Sequence, residues 1–366
     1  MTGQQATPAR EHVFVIAEAG VNHNGDLSRA LALVEAAAAA GADAVKFQTF
    51  RTAAVVTRSA AKAEYQTKAT GGDESQYAML QQLELSPEKH EAIAAHCRKV
   101  GIPFMSTPFD PHSMRFLVER FAMPYLKVPS GEITNPLILH EAAASGLPVI
   151  LSTGMSTIED VEVALGVLAH GYLFPAARPN LSTFRAAYAD PRAKAVLRSK
   201  IILLHCTTEY PAPFGDVNLR AMDTMRERFG LQVGYSDHTP GITVPIAAVA
   251  RGAVAIEKHF TMDRTLPGPD HAASLEPNEL AAMVRAIRET EQVLGSPRKV
   301  PAPSELGNQV IARRSLVAAV PIAAGELFTE TNLTLKRPGS GVSSLEYYDR
   351  LGTRASRAYQ ADELIS

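Results

Sequence analysis

Residues 13–47 read VFVIAEAGVNHNGDLSRALALVEAAAAAGADAVKF, and they contain one strand, one helix and the start of the next strand. The apolar run at 13–17 has the length of a buried strand, whereas the alanine-rich run after it has high helix propensity. Asp26 is a suitable N-cap for that helix, and Gly41 is suited to end it. Because a second short apolar run follows at 44–47, the stretch predicts one β/α unit of a parallel sheet.

The same alternation of strand and helix patterns continues to about residue 294. Eight candidate strands are found, at residues 13–17, 44–47, 103–106, 125–128, 149–152, 201–206, 232–236 and 254–259. Eight β/α units in succession predict a TIM (β/α)8 barrel rather than an open doubly wound sheet. The connection at 171–200 is too long for a simple loop, so we expect a surface excursion with one short helix near 184–188.

The composition changes after residue 294, where a proline-rich segment replaces the helical pattern. We therefore predict a catalytic barrel at 1–295, a linker at 296–307 and a small domain at 308–366. The small domain contains short strand patterns at 315–320 and 333–336. It is close to the lower size limit for an independent core.

Charge and cysteine content exclude several classes of protein. Lys and Arg number 36 against 38 Asp and Glu, a net charge of −2 with no long basic run, so nucleic acid is not an expected partner. Cys97 and Cys206 have no metal-type spacing and indicate a reducing compartment. Residues 1–10 lack the apolar centre of a signal peptide, and no apolar run is long enough to span a membrane. We expect a cytoplasmic protein without a membrane partner.

Polar side chains are dense at the carboxyl ends of the predicted strands, where TIM barrels place their catalytic groups. Lys46 and Lys127 end strands two and four, together with the hydroxyls of Ser106, Thr107, Ser130, Ser152 and Ser236. Cations and hydroxyl donors in one ring favour a small phosphorylated acid as ligand. Two other uses of the lysines stay open: ion pairs with Glu18 or Glu132, and a Schiff base, which the neighbouring hydroxyls disfavour.

His238 and His259 end strands seven and eight, so their imidazoles could share one divalent ion. Asp270 follows strand eight and offers an oxygen ligand or a base for metal-bound water. Such a mixed set suits Mn²⁺, Mg²⁺ or Co²⁺ better than a closed zinc site, although two satisfied histidines without metal would look the same. His23 and His205 are expected to serve structure by bonding locally.

Other polar residues at the strand ends are candidates for proton transfer or for binding a sugar hydroxyl. Glu18, Glu132 and Tyr210 belong to this group. Glu257 and Lys258 alternate on one strand, so we expect one of them to point outward to the helices.

Taken together, the strand-end motifs resemble one family, the sialic acid synthases, which includes N-acetylneuraminate, legionaminate and pseudaminate synthases. The motifs are AEAGVNHNG, VKFQTF, STPFD, KVPSGE, LSTGM, HCTTEYP, GYSDHT, EKHFT and GPDH, and the tail has KRPGSG at 336–341. The resemblance implies a TIM barrel followed by a small SAF domain similar to type III antifreeze protein. It also implies a domain-swapped homodimer and a divalent metal, usually manganese.

The same resemblance implies residue roles. Metal ligands would be His238 and His259, and the phosphoenolpyruvate contacts would be Lys46, Thr107, Lys127, Ser130, Ser152 and Ser236. Sugar contacts would be Gln48, Tyr210, Asp270 and Arg337, with Arg337 reaching across the dimer. Catalytic proton transfer and charge stabilisation would fall to Glu18, Glu132, Lys127 and Asp270.

The implied reaction condenses phosphoenolpyruvate with an N-acetylated hexose and releases phosphate by C–O cleavage. We expect N-acetylmannosamine as the acceptor and N-acetylneuraminate as the product. The first alternative is N,N'-diacetyllegionaminate synthesis from 2,4-diacetamido-2,4,6-trideoxymannose. The others are a non-catalytic carbohydrate-binding scaffold and a Schiff-base lyase. The segment around Tyr65 resembles the neuraminate and legionaminate branches more than the pseudaminate branch.

Overall fold

The computed structural model describes residues 12–71 and 74–366, so the tail at 1–10 lies outside the described residues. The described chain divides into two compact units, with the boundary between Gly295 and Ser296. In these described residues, no helix is both long and apolar enough to cross a membrane.

The first unit is built around a parallel sheet that, in the described residues, has eight strands. They are β1 Phe14–Gly20, β2 Ala44–Thr49, β3 Phe104–Pro108, β4 Leu126–Val128, β5 Val149–Ser152, β6 Ile201–Cys206, β7 Gln232–Asp237 and β8 Ala255–His259. The ladder runs β3-β2-β1-β8-β7-β6-β5-β4, and its two end strands β3 and β4 contact each other. The predicted TIM-type fold is confirmed.

Helices lie between the strands, and most of them cover the outside of the sheet. They are α1 Leu27–Ala39, α2 Thr52–Val55, α3 Glu64–Thr70, α4 Gln76–Leu83, α5 Pro87–Val100, α6 Pro111–Arg120, α7 Pro136–Ala144, α8 Ile158–Leu173, α9 Leu181–Ala189, α10 Ala193–Lys200, α11 Ala221–Phe229, α12 Thr243–Ala250 and α13 Pro277–Leu294. The side chain of Asp26 caps α1 by accepting from the amide of Arg29.

Alternation along each strand sends side chains to two different cores. Ile16, Met105, Ile150 and Leu204 belong to a small apolar cluster inside the barrel. Their sequence neighbours, such as Val15, pack in the large core between strands and helices. The inward positions toward the carboxyl ends therefore project into the barrel mouth.

The excursion at 171–200 is more helical than predicted. It contains α9 and α10 rather than one short helix, and α9 packs on α8 through Phe184 and Ala187. Both helices precede β6, so the excursion lies toward the amino ends of the strands, opposite the face where barrels hold their active sites.

The second unit contains the helices α14 Leu306–Ala312 and α15 Tyr347–Arg350 and the antiparallel strands β9 Ser315–Ala318 and β10 Leu333–Lys336. Its small core includes Leu316, Phe328, Leu333 and Tyr359. Helix α14 spans the predicted start of the small domain at residue 308.

Candidate active site

A cavity of about 410 Å³ opens at the carboxyl ends of the barrel strands. The structure brings most of the predicted site residues together in its lining: Glu18, Lys46, Gln48, Thr107, Lys127, Ser130, Ser152, Tyr210, Ser236, His238, His259 and Asp270. Glu132 is not part of this lining, and Arg337 belongs to the second unit. Glu132 is half-buried, and its carboxylate accepts a hydrogen bond from the side chain of Asn135 at 2.6 Å. Arg337 is exposed in the second unit and donates to the carbonyl of Ala312 at 3.0 Å.

The floor of the cavity is a buried group of two lysines and two glutamates, which we call the charged floor. Lys46 Nζ lies 2.6 Å from a carboxylate oxygen of Glu18 and 3.5 Å from one of Glu257. Lys127 Nζ lies 3.5 Å from the other oxygen of Glu257. All four side chains are at most 5% exposed, so the charges interact with little screening by water.

Burial and ion pairing shift the pKa values of the charged floor in different directions. Burial raises the pKa of Glu18 to about 7, although Lys46 opposes the rise. Burial also acts to raise the pKa of Glu257, but Lys127 and Lys46 outweigh it and lower that pKa to about 2. The pKa of Lys46 is raised because its two glutamates outweigh burial, whereas burial lowers the pKa of Lys127. Near neutral pH, Glu257 is the fixed negative charge and Glu18 can exchange a proton.

Hydroxyl groups complete the surroundings of these cations. Lys46 donates to Thr107 Oγ1 at 2.9 Å, and Lys127 donates to Ser152 Oγ at 2.8 Å. The hydroxyl of Ser236 donates to Glu257 at 3.2 Å. Cations and directional hydroxyls thus converge on one end of the cavity, as binding of phosphate or carboxylate requires.

Ser130 is held in place by a close approach of two loops. Its Oγ accepts from the amide of Gly154 at 3.0 Å and lies 3.1 Å from the sulfur of Cys206. A Cβ at Gly154 would lie 2.2 Å from Thr208 Oγ1 and 2.8 Å from Ser130 Oγ, so a larger residue there would force these hydroxyls to move.

The expectation that Ser106 belongs to the ring of hydroxyls at the mouth is wrong. Ser106 follows Met105, which points into the barrel, and therefore faces outward. Its hydroxyl lies 2.7 Å from that of Thr49, which in turn contacts His90 at 2.8 Å.

His238 and His259 lie side by side at the mouth, with ring centroids 5.6 Å apart. His238 Nδ1 donates to the carbonyl of Thr207 at 2.6 Å, which directs Nε2 away from the backbone. His259 Nδ1 lies 3.6 Å from a carboxylate oxygen of Asp270, and it is buried without a hydrogen-bond partner. Burial lowers the pKa of both imidazoles and raises that of Asp270 to about 6.

His238 and His259 offer two nitrogen ligands to a divalent ion, and Asp270 lies beside His259. Both imidazoles are neutral, and the backbone bond to His238 is the kind of outer contact that orients a metal ligand. In the ranges the structure describes, no group of three His, Cys, Asp or Glu side chains is arranged to enclose an ion. The donor set is therefore open, and water or substrate oxygens would have to supply the remaining positions.

Two tyrosines continue from the histidines along the cavity. The ring of Tyr210 lies 4.1 Å from that of His238, and the ring of Tyr65 lies 5.1 Å from that of Tyr210. Gln48, on β2, reaches toward β1, where its side-chain amide donates to the carboxylate of Glu18 at 3.4 Å.

Beyond Tyr65 most of the lining is apolar, although the side-chain amides of Gln66 and Gln76 are also part of it. Phe50, Val55, Met79, Leu80 and Phe109 form this side, which we call the apolar wall. They belong to one small cluster, in which the rings of Phe50 and Phe109 meet edge to face at 6.2 Å.

Sequence reasoning left several features unassigned. Glu257 proves to be the inward member of its pair, whereas Lys258 points outward and binds Asp237 at 2.6 Å, as expected for one of the two. Because side chains alternate along a strand, Glu257 is predicted to face inward once Ala255 is known to do so. Tyr65 and the wall residues Val55, Met79 and Leu80 lie outside the strand-end motifs, whereas Phe50 and Phe109 belong to VKFQTF and STPFD. His205 Nε2 donates to the carbonyl of Val217 at 2.7 Å, as expected of a structural histidine.

His23 also bonds locally, accepting from the amide of Gly25 at 2.9 Å. It is buried, and it does not belong to the cavity lining.

Comparison with known proteins identifies the family. The model of the NeuB family matches residues 33–299, and that of the SAF domain matches residues 313–366. The N,N'-diacetyllegionaminic acid synthase of Campylobacter jejuni is 47% identical over 96% of this chain and 98% of its own length. The synthase of the same name from Legionella pneumophila is 45% identical over 94% of this chain and 90% of its own.

A solved structure agrees with this assignment. The N-acetylneuraminic acid synthetase of Leptospira borgpetersenii, crystallised with citrate, superposes with a TM-score of 0.64 at 34% identity. The match covers 81% of this chain and 90% of that one. With the family models, the relatives and the barrel site in agreement, the chain belongs to the NeuB family of sialic acid synthases, which are enzymes, and it ends in a SAF domain.

Proposed function

We propose that this enzyme condenses phosphoenolpyruvate with 2,4-diacetamido-2,4,6-trideoxymannose and water to give N,N'-diacetyllegionaminate and phosphate. The observation that carries the proposal is the 47% and 45% identity, nearly end to end, to two synthases named for that product. N-acetylneuraminate synthesis, which we expected from the sequence, becomes the second candidate. Its support is the 34% identity to the Leptospira synthetase.

Phosphoenolpyruvate fits the charged floor and its hydroxyls. Lys46 and Lys127 would face the phosphate and carboxylate as point charges, while Thr107, Ser130 and Ser152 supply directional contacts. Lys46 is paired with two glutamates that raise its pKa, which keeps it protonated rather than available as an amine nucleophile. Lys127 is held by Glu257 and Ser152, and Glu257 opposes the lowering of its pKa by burial. A Schiff-base lyase is therefore disfavoured, and borohydride treatment with pyruvate should trap no adduct.

His238 and His259 would hold a divalent metal, with Asp270 beside them. The preferred ion is Mn²⁺, and Mg²⁺ and Co²⁺ are alternatives. When bound, such an ion supplies Lewis-acid polarisation of the open-chain sugar aldehyde.

The residues of the chain then divide the work of the reaction. C3 of phosphoenolpyruvate forms the new bond to the aldehyde carbon as the C=O π bond opens, and the aldehyde oxygen gains a proton. Water adds at C2 and loses a proton, and the C2–O bond then breaks to release phosphate. Lys46 and Lys127 stabilise the negative charge of carboxylate and departing phosphate. Glu18, whose pKa lies near neutrality, can take the proton from water, whereas Glu132 would need to approach the cavity to do so.

Arg337 enters the proposal through the second unit. In the proposed domain-swapped homodimer, Arg337 of one subunit would bind the acetamido group in the partner's cavity. Mixing inactive Arg337→Ala and Lys127→Ala subunits should then restore activity, because some sites would contain both intact residues. Mixtures as inactive as their components would contradict the exchange. A cytoplasmic location stays a prediction.

Phosphate release from phosphoenolpyruvate tests the function directly. The two candidate acceptors are offered in parallel with Mn²⁺, each with and without chelator. Chelator-sensitive release with a higher kcat/KM for the diacetamido sugar supports the proposal. Preference for N-acetylmannosamine would assign the enzyme to neuraminate synthesis, and release with neither sugar would refute both candidates.

A further inference from the structure

The apolar wall has no part in the chemistry of phosphoenolpyruvate, although it lines the same cavity. Its five side chains carry no hydrogen-bond donor or oxygen acceptor, and Phe50 and Met79 are at most 6% exposed. Val55, Leu80 and Phe109 are half-buried and complete the surface. An acceptor hydroxyl in contact with these five side chains finds no hydrogen-bond partner on them. Of the two amides in the same lining, that of Gln76 already donates to that of Gln66 at 3.3 Å.

The order of contacts shows which end of the acceptor comes to this wall. The reacting aldehyde must lie between the charged floor and the histidines, where the carbon–carbon bond forms. From His238, the rings of Tyr210 and then Tyr65 lead to helix α3. Helix α3 contacts α4 through Thr70 Oγ1 and Met79 Sδ at 3.8 Å. An open-chain acceptor that extends along these rings from the histidines would bring its far end to the apolar wall.

We infer that the apolar wall receives the C6 end of the acceptor and selects a 6-deoxy methyl group over a 6-hydroxymethyl group. This inference rests on the proposed function for its choice of substrate class, because the diacetamido sugar carries such a methyl group. An apolar pocket discriminates against an added hydroxyl by roughly 10²-fold in kcat/KM. The wall is therefore a specificity determinant that acts on the acceptor and not on phosphoenolpyruvate.

The test uses three acceptors: the diacetamido sugar, N-acetylmannosamine, and 6-deoxy-N-acetylmannosamine, which differs from the second only at C6. The wild-type enzyme should prefer the 6-deoxy sugar to N-acetylmannosamine by roughly 10²-fold in kcat/KM. Val55→Thr adds a hydroxyl at nearly constant volume, and Leu80→Asn adds an amide. Each should lower that ratio about tenfold while the KM for phosphoenolpyruvate stays unchanged.

The matched control is Leu137→Asn, at a leucine on α7 that is 68% exposed and outside the cavity. It should keep the wild-type ratio, and circular dichroism should show all variants folded. A wild-type ratio near one, or an unchanged ratio in both wall variants, overturns the inference.

The design separates this inference from the proposed function. If the diacetamido sugar is rejected but the 6-deoxy preference exists and falls in the wall variants, the wall assignment stands and the proposed substrate is wrong. Turnover of none of the three sugars overturns both.

Discussion

Replacing Glu257 by glutamine should weaken the barrel, because this carboxylate holds two buried ammonium groups together. Among the described residues, Lys127 has no ion-pair partner other than Glu257, whereas Lys46 keeps Glu18 at 2.6 Å. At 3.5 Å and an effective dielectric constant of about 20, the attraction lost by Lys127 is about 5 kcal/mol. Since glutamine can still accept from Ser236 and Lys127, we expect a loss of about 3 kcal/mol in the free energy of unfolding.

A double-mutant cycle in urea checks this reasoning. Unfolding is followed by far-UV circular dichroism, because the chain contains no Trp. Lys127→Met removes the orphaned charge, so Glu257→Gln should cost at least about 1 kcal/mol less in that background than in the wild type. Additive effects within about 0.5 kcal/mol would refute the coupling, and the pair would then contribute nothing measurable.

Three further predictions follow from other parts of the site and the barrel. His238→Ala should abolish metal-stimulated turnover in a protein with the wild-type circular dichroism spectrum; turnover that stays fully metal-dependent would remove this residue from the metal site. Lys258→Met leaves the buried carboxylate of Asp237 on β7 without its ion-pair partner, and it should lower the free energy of unfolding, measured by urea titration, by about 3–5 kcal/mol. Arg115→Met removes a surface ion pair and should lower it by less than about 1 kcal/mol. Equal losses in the two variants would contradict this difference. Gly154→Ala should raise the KM for phosphoenolpyruvate at least about tenfold, because its Cβ would lie 2.2 Å from Thr208 Oγ1 and 2.8 Å from Ser130 Oγ and displace Ser130. Gly215→Ala, which meets open space, should leave that KM unchanged; an unchanged KM in the first variant would contradict the packing.

The barrel could be predicted because its evidence is repeated along the chain. The bounds of β5 and β6 agree with the predicted 149–152 and 201–206, since short apolar runs end sharply at polar residues. Most polar residues at strand ends also reached the cavity. Ser106 did not, because a strand alternates its faces and a motif does not say which of two adjacent residues points inward.

The two long insertions show what topology adds to composition. Helices α2 to α4 follow β2, so they lie at the carboxyl face and contribute Val55, Met79 and Leu80 to the cavity. The excursion with α9 and α10 precedes β6 and contributes nothing to that lining in the described residues. Both are polar and irregular in sequence. The first follows a strand and the second precedes one, and this difference alone decides which can meet a substrate.

The burial of three lysines has a practical consequence for handling the protein. Lys46, Lys127 and Lys258 are at most 2% exposed, whereas amine-directed reagents such as succinimidyl esters acylate accessible amines. Surface immobilisation or fluorescent labelling through amines should therefore leave the cations of the cavity untouched. Protection of these three positions, read by peptide mass mapping, would serve as a direct gauge of whether the barrel is closed.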